Sequence, residues 1–512
     1  MFIKYANMPK LKPFVYFALL WGLMVLALGA STHPLEAQSC EYWVAPNGSN
    51  SNPGSHSQPW ATLEHAAEAV PDNHCTVWFQ SGLYNGNNDV ERRFNTMTTF
   101  QAVTAYTAVF QHNSTVLELD GARNLILEGL IFQHDGPGAS NYVVIGSRKD
   151  NTWLEHITFR NNIFRDSYDN DLLKIHNGSR FIAIEGNIFF NQGDNEQHLD
   201  INSVTDVIIQ DNILFNDFPG SGRTANTTKS FIVIKDSNEG ADGLLGSERV
   251  TVRRNIFLNW EGEAGESFLK VGNDGNPFHE AKEVQIENNL FIGNSHNQTN
   301  TILGIRGSKD VWFVNNTVIG DLPASAYAMR VEITGDNPRN ENVSFYNNIW
   351  ADATGTMGAG PSGGSGDFAD GDPEDTINTT IDTNLYWNGG SSIPSGDFVS
   401  PMQDDAHHLV ANPMLNTNQN GLIIPRWNGS AFPSGSSTIR QEFVRLVEEY
   451  GRIPANSPAV GKANSAFAPA DDILGHSRGG TADLGAYEAG PIQLPPPPTG
   501  DYLIYLPIVR GD

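Results

Sequence analysis

The chain has 512 residues, and its 58 acidic residues outnumber its 31 lysines and arginines, which gives a formal net charge of −27. This excess of negative charge disfavours nucleic acid and anionic membrane surfaces as partners and favours cations or glycans. The chain is also long enough to bury a large core.

The first 37 residues are predicted to be an export signal. Lysines near the start precede an apolar run from Phe14 to Ala30, and we place cleavage after Ala37. An uncleaved anchor is the alternative, because the run is close to the shortest segment that spans a bilayer. The protein is therefore expected to be secreted or held at the cell surface.

Cys40 and Cys75 are the only two cysteines, and each comes just before an apolar strand-like run. In an exported protein a disulfide between them is the first expectation. Two unpaired thiols are the alternative.

Two short helices are predicted, one towards each end of the main domain. The segment Pro59–Ala69 is amphipathic and would cover the open end of a stack of strands. Further on, Thr438 and Gln441 have the spacing of a capping box, and apolar residues at helical spacing follow until Gly451.

Between these helices one pattern recurs, of the form apolar-x-apolar-x-x-Asn-apolar-apolar, as in VQIENNLF. The repeated residues are Asn162, Asn187, Asn212, Asn255, Asn289, Asn316 and Asn348. An eighth copy has Leu130 in the asparagine position. Strands repeated at roughly 25–45 residues predict a parallel β-solenoid. Asparagine tolerates a left-handed bend, so we place these residues in the bends, where their stacked amides form a hydrogen-bonded ladder.

A second alternating strand precedes each asparagine copy, and a short polar loop is expected between the two. No helix-length periodicity lies between the strands, which argues against folds that need a crossover helix. The predicted fold class is all-β: a single solenoid with an N-terminal capping helix and an irregular C-terminal segment that contains one helix. The Gly- and Asp-rich stretch Thr354–Asp375 is predicted to be a mobile loop.

These features resemble the right-handed parallel β-helix, or pectate-lyase-like, superfamily. The resemblance rests on the opening segment Tyr42–Ala69, on the repeats and on the closing segment Ala470–Glu488. It implies one β-helix domain over residues 40–488. It is specific for the fold only, since the chain has neither the RxPxxR motif of pectate lyases nor the paired aspartates of polygalacturonases.

Strand alternation points one set of polar side chains outward from the second strands. These residues are Lys174, His176, Asp200, Lys235, Lys270, Arg306 and Arg330. Because adjacent coils lie about 4.8 Å apart, we expect a single lengthwise column on the surface. An ordinary solvated face is the alternative.

The resemblance implies a role for this column. In β-helix polysaccharide lyases the substrate lies along this sheet, and a basic residue removes the proton next to a uronate carboxylate. By this resemblance Lys235 or Lys270 is the base, with a pKa lowered by cationic neighbours. The other five residues of the column would bind substrate. Calcium is expected at Asp194, Glu196 and Asp200.

Two functions are therefore open: a polysaccharide lyase acting on uronate-containing glycan, or a non-catalytic surface solenoid that binds glycan or serves as an adhesin. In either case we expect a monomer whose partner is a polysaccharide. Residues 489–500 are predicted to be a proline-rich linker, and residues 501–512 a short apolar tail for sorting or surface retention, with a docked strand as the alternative.

Overall fold

The computed structural model describes residues 40–224, 227–294, 297–322, 326–359 and 366–490. The predicted export signal, the linker beyond residue 490 and the apolar tail lie outside these residues. All the strands of the described residues belong to the unit that begins at Glu41. In the described part of the chain, no helix has the length and apolarity needed to cross a membrane.

The strands form three faces, which the chain visits in the repeating order A, B, C. Face A consists of Asn88–Val90, Leu117–Asp120, Val144–Ser147, Ser230–Lys235, Ser267–Val271, Thr301–Arg306, Ala326–Glu332 and Asp367–Asp370. Face B consists of Glu41–Val44, Thr76–Phe79, Arg93–Ala102, Arg123–Glu128, Glu155–Arg160, Ser247–Arg253, Ala281–Glu287, Ser308–Val314, Asn340–Tyr346 and Thr376–Asp382. The long strands Leu173–Glu185 and Gln197–Gln210 run through faces A and B in turn.

Face C consists of Gly82–Asn85, Ala108–His112, Ile131–His134, Ile163–Ser167, Ile188–Gln192, Ile213–Phe215, Ile256–Leu258, Leu290–Gly293, Thr317–Gly320, Ile349–Asp352, Leu385–Asn388 and Leu409–Val410. On all three faces each strand pairs in parallel with the strand one coil away, as Leu173 pairs with Leu199 and Leu199 with Ile232. The predicted parallel β-helix is therefore confirmed.

Two rows of left-handed residues form corners of the coils. Between faces B and C they are Gly129, Asn161, Gly186, Asp211, Arg254, Asn288, Asn315, Asn347 and Thr383. Between faces A and B they are Asn124, His156, Phe181, Asp206, Arg249, Glu283, Asp310, Asn342 and Asn378. The repeated asparagines were placed in the left-handed bend itself, and this is wrong: the bend falls on the residue before each of them, which frees the asparagine side chain to point inward.

The repeated asparagines form the predicted ladder, and all seven are fully buried. At Asn255 the side-chain oxygen accepts bonds from the backbone N–H and the amide of Asn212, both at 3.0 Å. The Asn255 amide donates to the carbonyl of Ile209 at 2.9 Å and to the Asn289 side chain at 3.0 Å. Each asparagine thus satisfies backbone groups that a tight corner would leave unpaired.

The ladder has a definite beginning and end. At one end the backbone N–H of Leu130 donates to Asn162 at 2.9 Å, so the copy without asparagine still receives the first rung. At the other end an eighth asparagine, Asn384, follows Asn348. The buried carboxyl of Asp405 accepts the backbone N–H of Asn384 at 3.0 Å and its amide at 2.9 Å, and so terminates the ladder.

Face C is apolar on both sides. Inward-pointing phenylalanines stack from coil to coil, with ring centroids 5.3 Å apart for Phe132 and Phe164 and 4.7 Å apart for Phe164 and Phe189. The outward side chains, such as Ile188 and Phe190, are covered by the C-terminal segment, which contributes Phe443 to the same cluster. Burial on both sides explains why these strands read as unbroken apolar runs.

Both predicted helices are present. Helix α1 spans Leu63–Ala69, and α2 is a single turn at Pro401–Asp404. Helix α3 spans Ile439–Leu446 and has the predicted capping box of Thr438 and Gln441. Its buried side faces face C, so it covers the side of the solenoid.

The predicted disulfide is present, since Cys40 and Cys75 are both disulfide-bonded. The segment Thr354–Asp375, predicted to be a loop throughout, contains the last strand of face A, Asp367–Asp370. Glycine and aspartate are rare in strands, and here parallel pairing with the preceding coil outweighs that preference.

Candidate functional site

Face A carries the sequence-predicted site residues, and the strand register sorts its outward side chains into two rows rather than one column. Row 1 is Asp89, Glu118, Ile145, Lys174, Asp200, Val233, Lys270, Gly304, Arg330 and Asp370. Row 2, two residues further along the strands, is Asp120, Ser147, His176, Asn202, Lys235, Arg306 and Glu332. The single column is therefore wrong, because Lys235 and Lys270 fall in different rows.

The cations of face A are paired with carboxylates. Lys174 contacts Asp200 at 2.6 Å, and Lys235 contacts Asp274 at 3.3 Å. The remaining pairs are Lys270 with Glu266, Arg306 with Glu332, and Arg330 with Glu332 and Asp370. The face is thus a network of ion pairs on a strongly acidic chain.

A buried acidic centre lies around Lys174. Asp171 and Asp200 are almost completely buried, and each has one carboxyl oxygen with no hydrogen-bond partner among the described residues. Burial raises the pKa of Asp171 well above its usual value, and the Asp200 charge adds to this. Burial also opposes ionisation of Asp200, but Lys174 and Lys235 outweigh it and lower the pKa of Asp200. The pKa values of two neighbouring carboxyl groups are therefore shifted in opposite directions.

His176 lies in row 2 beside this centre. Burial, reinforced by the Lys174 charge, lowers its pKa to about 4, against the opposing effect of Asp200 and Asp242. At neutral pH His176 is therefore an uncharged polar group, which can donate or accept a hydrogen bond but adds no charge to the face.

His176 leads to a pH prediction. An unfolded histidine takes up a proton near pH 6.5, whereas folded His176 does so only near pH 4, so the folded state loses stability as the pH falls through this window. The wild-type protein loses stability between pH 7 and pH 4.5, and we expect this loss to be about 1–2 kcal/mol smaller in His176→Asn. Denaturant midpoints measure the difference. The same substitution at exposed His56 is the control, and equal acid sensitivity in all three proteins would contradict the assignment.

The two candidate bases differ in their surroundings. Burial lowers the pKa of Lys235, but Asp200 and Asp274 outweigh it, so the net effect is a raised pKa, opposite to the expectation from cationic neighbours. The pKa of Lys270 is lowered, mainly by burial, with Arg306 and Lys229 contributing and Glu266 opposing. Of the two, Lys270 is the one that can lose its proton more easily.

A glycine and two arginines are the neighbours of Lys270 on the following coils of face A. The next residue of row 1 is Gly304, which has no side chain, and a Cβ built there would lie 3.7 Å from Cγ of Lys270. Beyond this gap lies Arg330 in the same row, and Arg306 lies two residues further along the Gly304 strand. Gly304, which is itself buried, thus leaves no side chain in row 1 between Lys270 and Arg330.

The three predicted calcium ligands do not form a cluster in this structure. Asp194 is exposed and accepts a hydrogen bond from Asn195, whereas Asp200 is held by the Lys174 ammonium. Within the described ranges, no group of three His, Cys, Asp or Glu side chains is arranged to hold a metal ion. Calcium binding therefore stays a prediction.

The first coils of face A are acidic, which the sequence analysis did not single out. Asp89 of one coil pairs with Glu118 of the next, and Asp120 lies in the neighbouring row. Burial and neighbouring carboxylates raise the pKa of both Asp89 and Glu118. The alternation in LELD, which points Glu118 and Asp120 outward, was the available signal. Carboxylates therefore dominate the first coils of face A, whereas the later coils carry cations that are each paired with a carboxylate.

No protein-family model and no curated protein sequence matches the chain. Among solved structures it is similar to the pectate lyase Pel9A, with 15% identity, a TM-score of 0.48 and coverage of 88% of this chain and 96% of that one. A mannuronic acid specific polysaccharide family 6 lyase from human gut microbiota has 12% identity, a TM-score of 0.45 and coverage of 80% and 99%.

A third similar structure is the GH136 lacto-N-biosidase from Eubacterium ramulus, with 10% identity, a TM-score of 0.45 and coverage of 72% of this chain and 67% of that one. At these identities and scores, no residue role is transferred from any of the three proteins to this chain.

Proposed function

We propose that face A binds a uronate-containing polysaccharide and that the protein is a polysaccharide lyase with Lys270 as its catalytic base. One observation carries the proposal: the lysine of face A whose pKa is lowered lies in row 1 beside Gly304, which leaves no side chain between it and Arg330. Arg306 lies two residues further along the Gly304 strand. An extracellular polysaccharide is also consistent with the disulfide of an exported protein.

The chemistry requires a base and a charge partner. In β-elimination, neutral Lys270 takes the proton from the carbon next to the uronate carboxylate. The electron pair of that C–H bond forms a carbon–carbon double bond, the bond to the glycosidic oxygen breaks, and that oxygen takes up a proton. Arg306 and Arg330 bind the carboxylate and offset the negative charge that develops as the proton leaves.

The surroundings of Lys270 tolerate its neutral form. Its carboxylate partner Glu266 also contacts Lys229 at 3.5 Å, so Glu266 keeps a cation when Lys270 loses its proton. Lys174 and Lys235 have no such freedom, because their protons offset the buried charge of Asp200. In this proposal they hold the floor of the groove in place and do not act as bases.

A glycan panel tests the proposal. The full chain with its disulfide intact is incubated with polygalacturonate, alginate, rhamnogalacturonan and neutral xylan, each with calcium and with a chelator. We expect the ultraviolet absorbance of unsaturated uronate to rise with at least one acidic glycan and not with xylan. The calcium arm also tests the predicted metal requirement.

The same panel separates the alternatives. Reducing ends that appear without ultraviolet absorbance would indicate hydrolysis, for which the acidic coils around Asp89 and Glu118 are the first place to look. Binding of an acidic glycan without any cleavage would favour a non-catalytic solenoid. Neither binding nor cleavage of the acidic glycans would contradict the proposed function.

A further inference from the structure

A pocket on face B lies away from the residues discussed above. It has a volume of about 170 Å³, and its lining includes Gln285, Glu287, Trp312 and Phe467. The first three project from two neighbouring face B strands, in which Gln285 pairs with Trp312. The fourth comes from the C-terminal segment and forms one wall.

This wall is held in place on its outer side. The ring of Phe467 stacks on Tyr346, with centroids 4.0 Å apart and planes within 6°. The backbone N–H of Asn464 donates to the Asn347 side chain at 2.8 Å, and the Asn347 amide donates to the Asn464 carbonyl at 3.1 Å. Even so, Phe467 is 46% exposed, which is high for a phenylalanine so firmly supported.

The floor offers polar groups that the protein itself does not use. Within the described chain, neither the side-chain amide of Gln285 nor the indole N–H of Trp312 makes a hydrogen bond, and both residues are half-buried. The Glu287 carboxylate contacts Arg253 at 3.4 Å. The pocket lining therefore combines two aromatic surfaces with an amide and an indole N–H that lack protein partners in the described part of the chain, and with a carboxylate that contacts Arg253.

We propose that this pocket is a separate carbohydrate-binding subsite that takes one uncharged sugar ring of a glycan chain. A pyranose has apolar C–H faces that pack on aromatic rings and hydroxyl groups around its edge that bond to amides, indole N–H groups and carboxylates. The volume is below the roughly 300–1,000 Å³ of pockets for drug-sized ligands, which fits a single ring.

Charge determines the kind of sugar. Among the described residues, the pocket lining contains no lysine or arginine, and its one charged side chain, Glu287, is paired with Arg253. A uronate carboxylate would therefore find no cationic partner in the lining, in contrast to the arginine side of face A. The subsite therefore goes beyond the proposed function: it holds a neutral part of a glycan and needs neither Lys270 nor cleavage.

Oligosaccharide binding to the full chain tests this subsite. The probes are cellohexaose, xylohexaose, mannohexaose and, as the charged comparison, hexagalacturonate, followed by saturation-transfer NMR and calorimetry. We expect at least one neutral probe to bind, and Phe467→Ala or Trp312→Ala to weaken its binding about tenfold, because each removes one aromatic surface. Gln285→Ala should weaken it by a smaller factor.

Two controls locate the effect. Leu245→Ala changes an apolar side chain that is 52% exposed outside the pocket and should leave binding unchanged. Lys270→Ala should also leave it unchanged, which separates this subsite from the proposed lyase groove. The subsite is overturned if no neutral probe binds at about 10 mM, if Phe467→Ala and Trp312→Ala bind as well as the wild type, or if hexagalacturonate is the ligand that both variants lose.

Discussion

Replacing Lys270 by alanine is expected to lower kcat by about 10²–10⁴-fold on any uronate glycan that the wild-type protein cleaves, the range typical for loss of a general base. The side chain is only 9% exposed, its pKa is lowered by burial, and it lies next to Gly304 in row 1, with Arg330 one coil further on. The measurement is the initial rate of unsaturated uronate formation at saturating substrate.

The pH profile gives an independent reading of the same residue. A lysine acts as a base only when it has lost its proton, so the rate should rise with pH and level off below the ordinary lysine pKa of about 10.4. Lys270→Arg should not restore the rate, because an arginine keeps its proton at these pH values.

Three variants serve as comparisons for Lys270→Ala. Lys309→Ala removes a face B lysine whose one ion pair among the described residues is with Glu341, and it should leave the rate unchanged. Gly304→Ala adds a methyl group at ordinary contact distance from Ser267 and Lys270, so the fold should persist while substrate access narrows and KM rises. Lys235→Ala should mainly lower the stability of the fold around Asp200, because it removes a charge that offsets this buried carboxylate. Full activity in Lys270→Ala would contradict the assignment of the base.

Replacing Asn255 by alanine should lower the free energy of unfolding by about 3–5 kcal/mol. The substitution leaves the Asn212 backbone N–H and amide, the Ile209 carbonyl and the Asn289 side-chain oxygen with one partner fewer in a fully buried corner. Buried polar groups without partners are costly because water cannot reach them. The shift in denaturant midpoint measures the effect.

A second asparagine provides the matched control. Asn420 is exposed and makes no side-chain hydrogen bond within the described residues, so Asn420→Ala should change stability by no more than about 0.5 kcal/mol. Asn255→Asp tests the role of the amide hydrogens, since it keeps the shape but removes both donors. A similar small shift in all three variants would show that the ladder contributes little to stability.

Much of the fold could be read from the sequence because the repeat is local. The corner after each face B strand needs one left-handed residue and then a side chain that can both donate and accept, and this requirement recurs in every coil. Asn384 fits the same pattern in IDTNLY but was missed. Its cap Asp405 carries no local signal, because it reaches the end of the ladder from a separate segment.

The candidate site was only partly predictable. Alternation correctly placed Lys270, Arg306 and Arg330 on face A. It could not predict which of the two rows each residue joins, because that depends on the register between coils whose loops differ in length. The partners Glu266 and Asp274 lie outside the alternating strand positions used for the prediction. The direction in which each lysine pKa is shifted follows from these partners and from burial.

The sequence by itself determined the solenoid, the asparagine ladder, the capping box of helix α3 and the set of residues that point outward, because each depends on spacing within one coil. Only the tertiary structure decided what those residues do. It closed face C under the C-terminal segment and neutralised the face A cations one by one. It also placed Phe467 in the lining of the same pocket as Trp312, which lies 155 positions earlier in the chain. Contacts of this kind depend on how distant segments pack, and no local pattern records them.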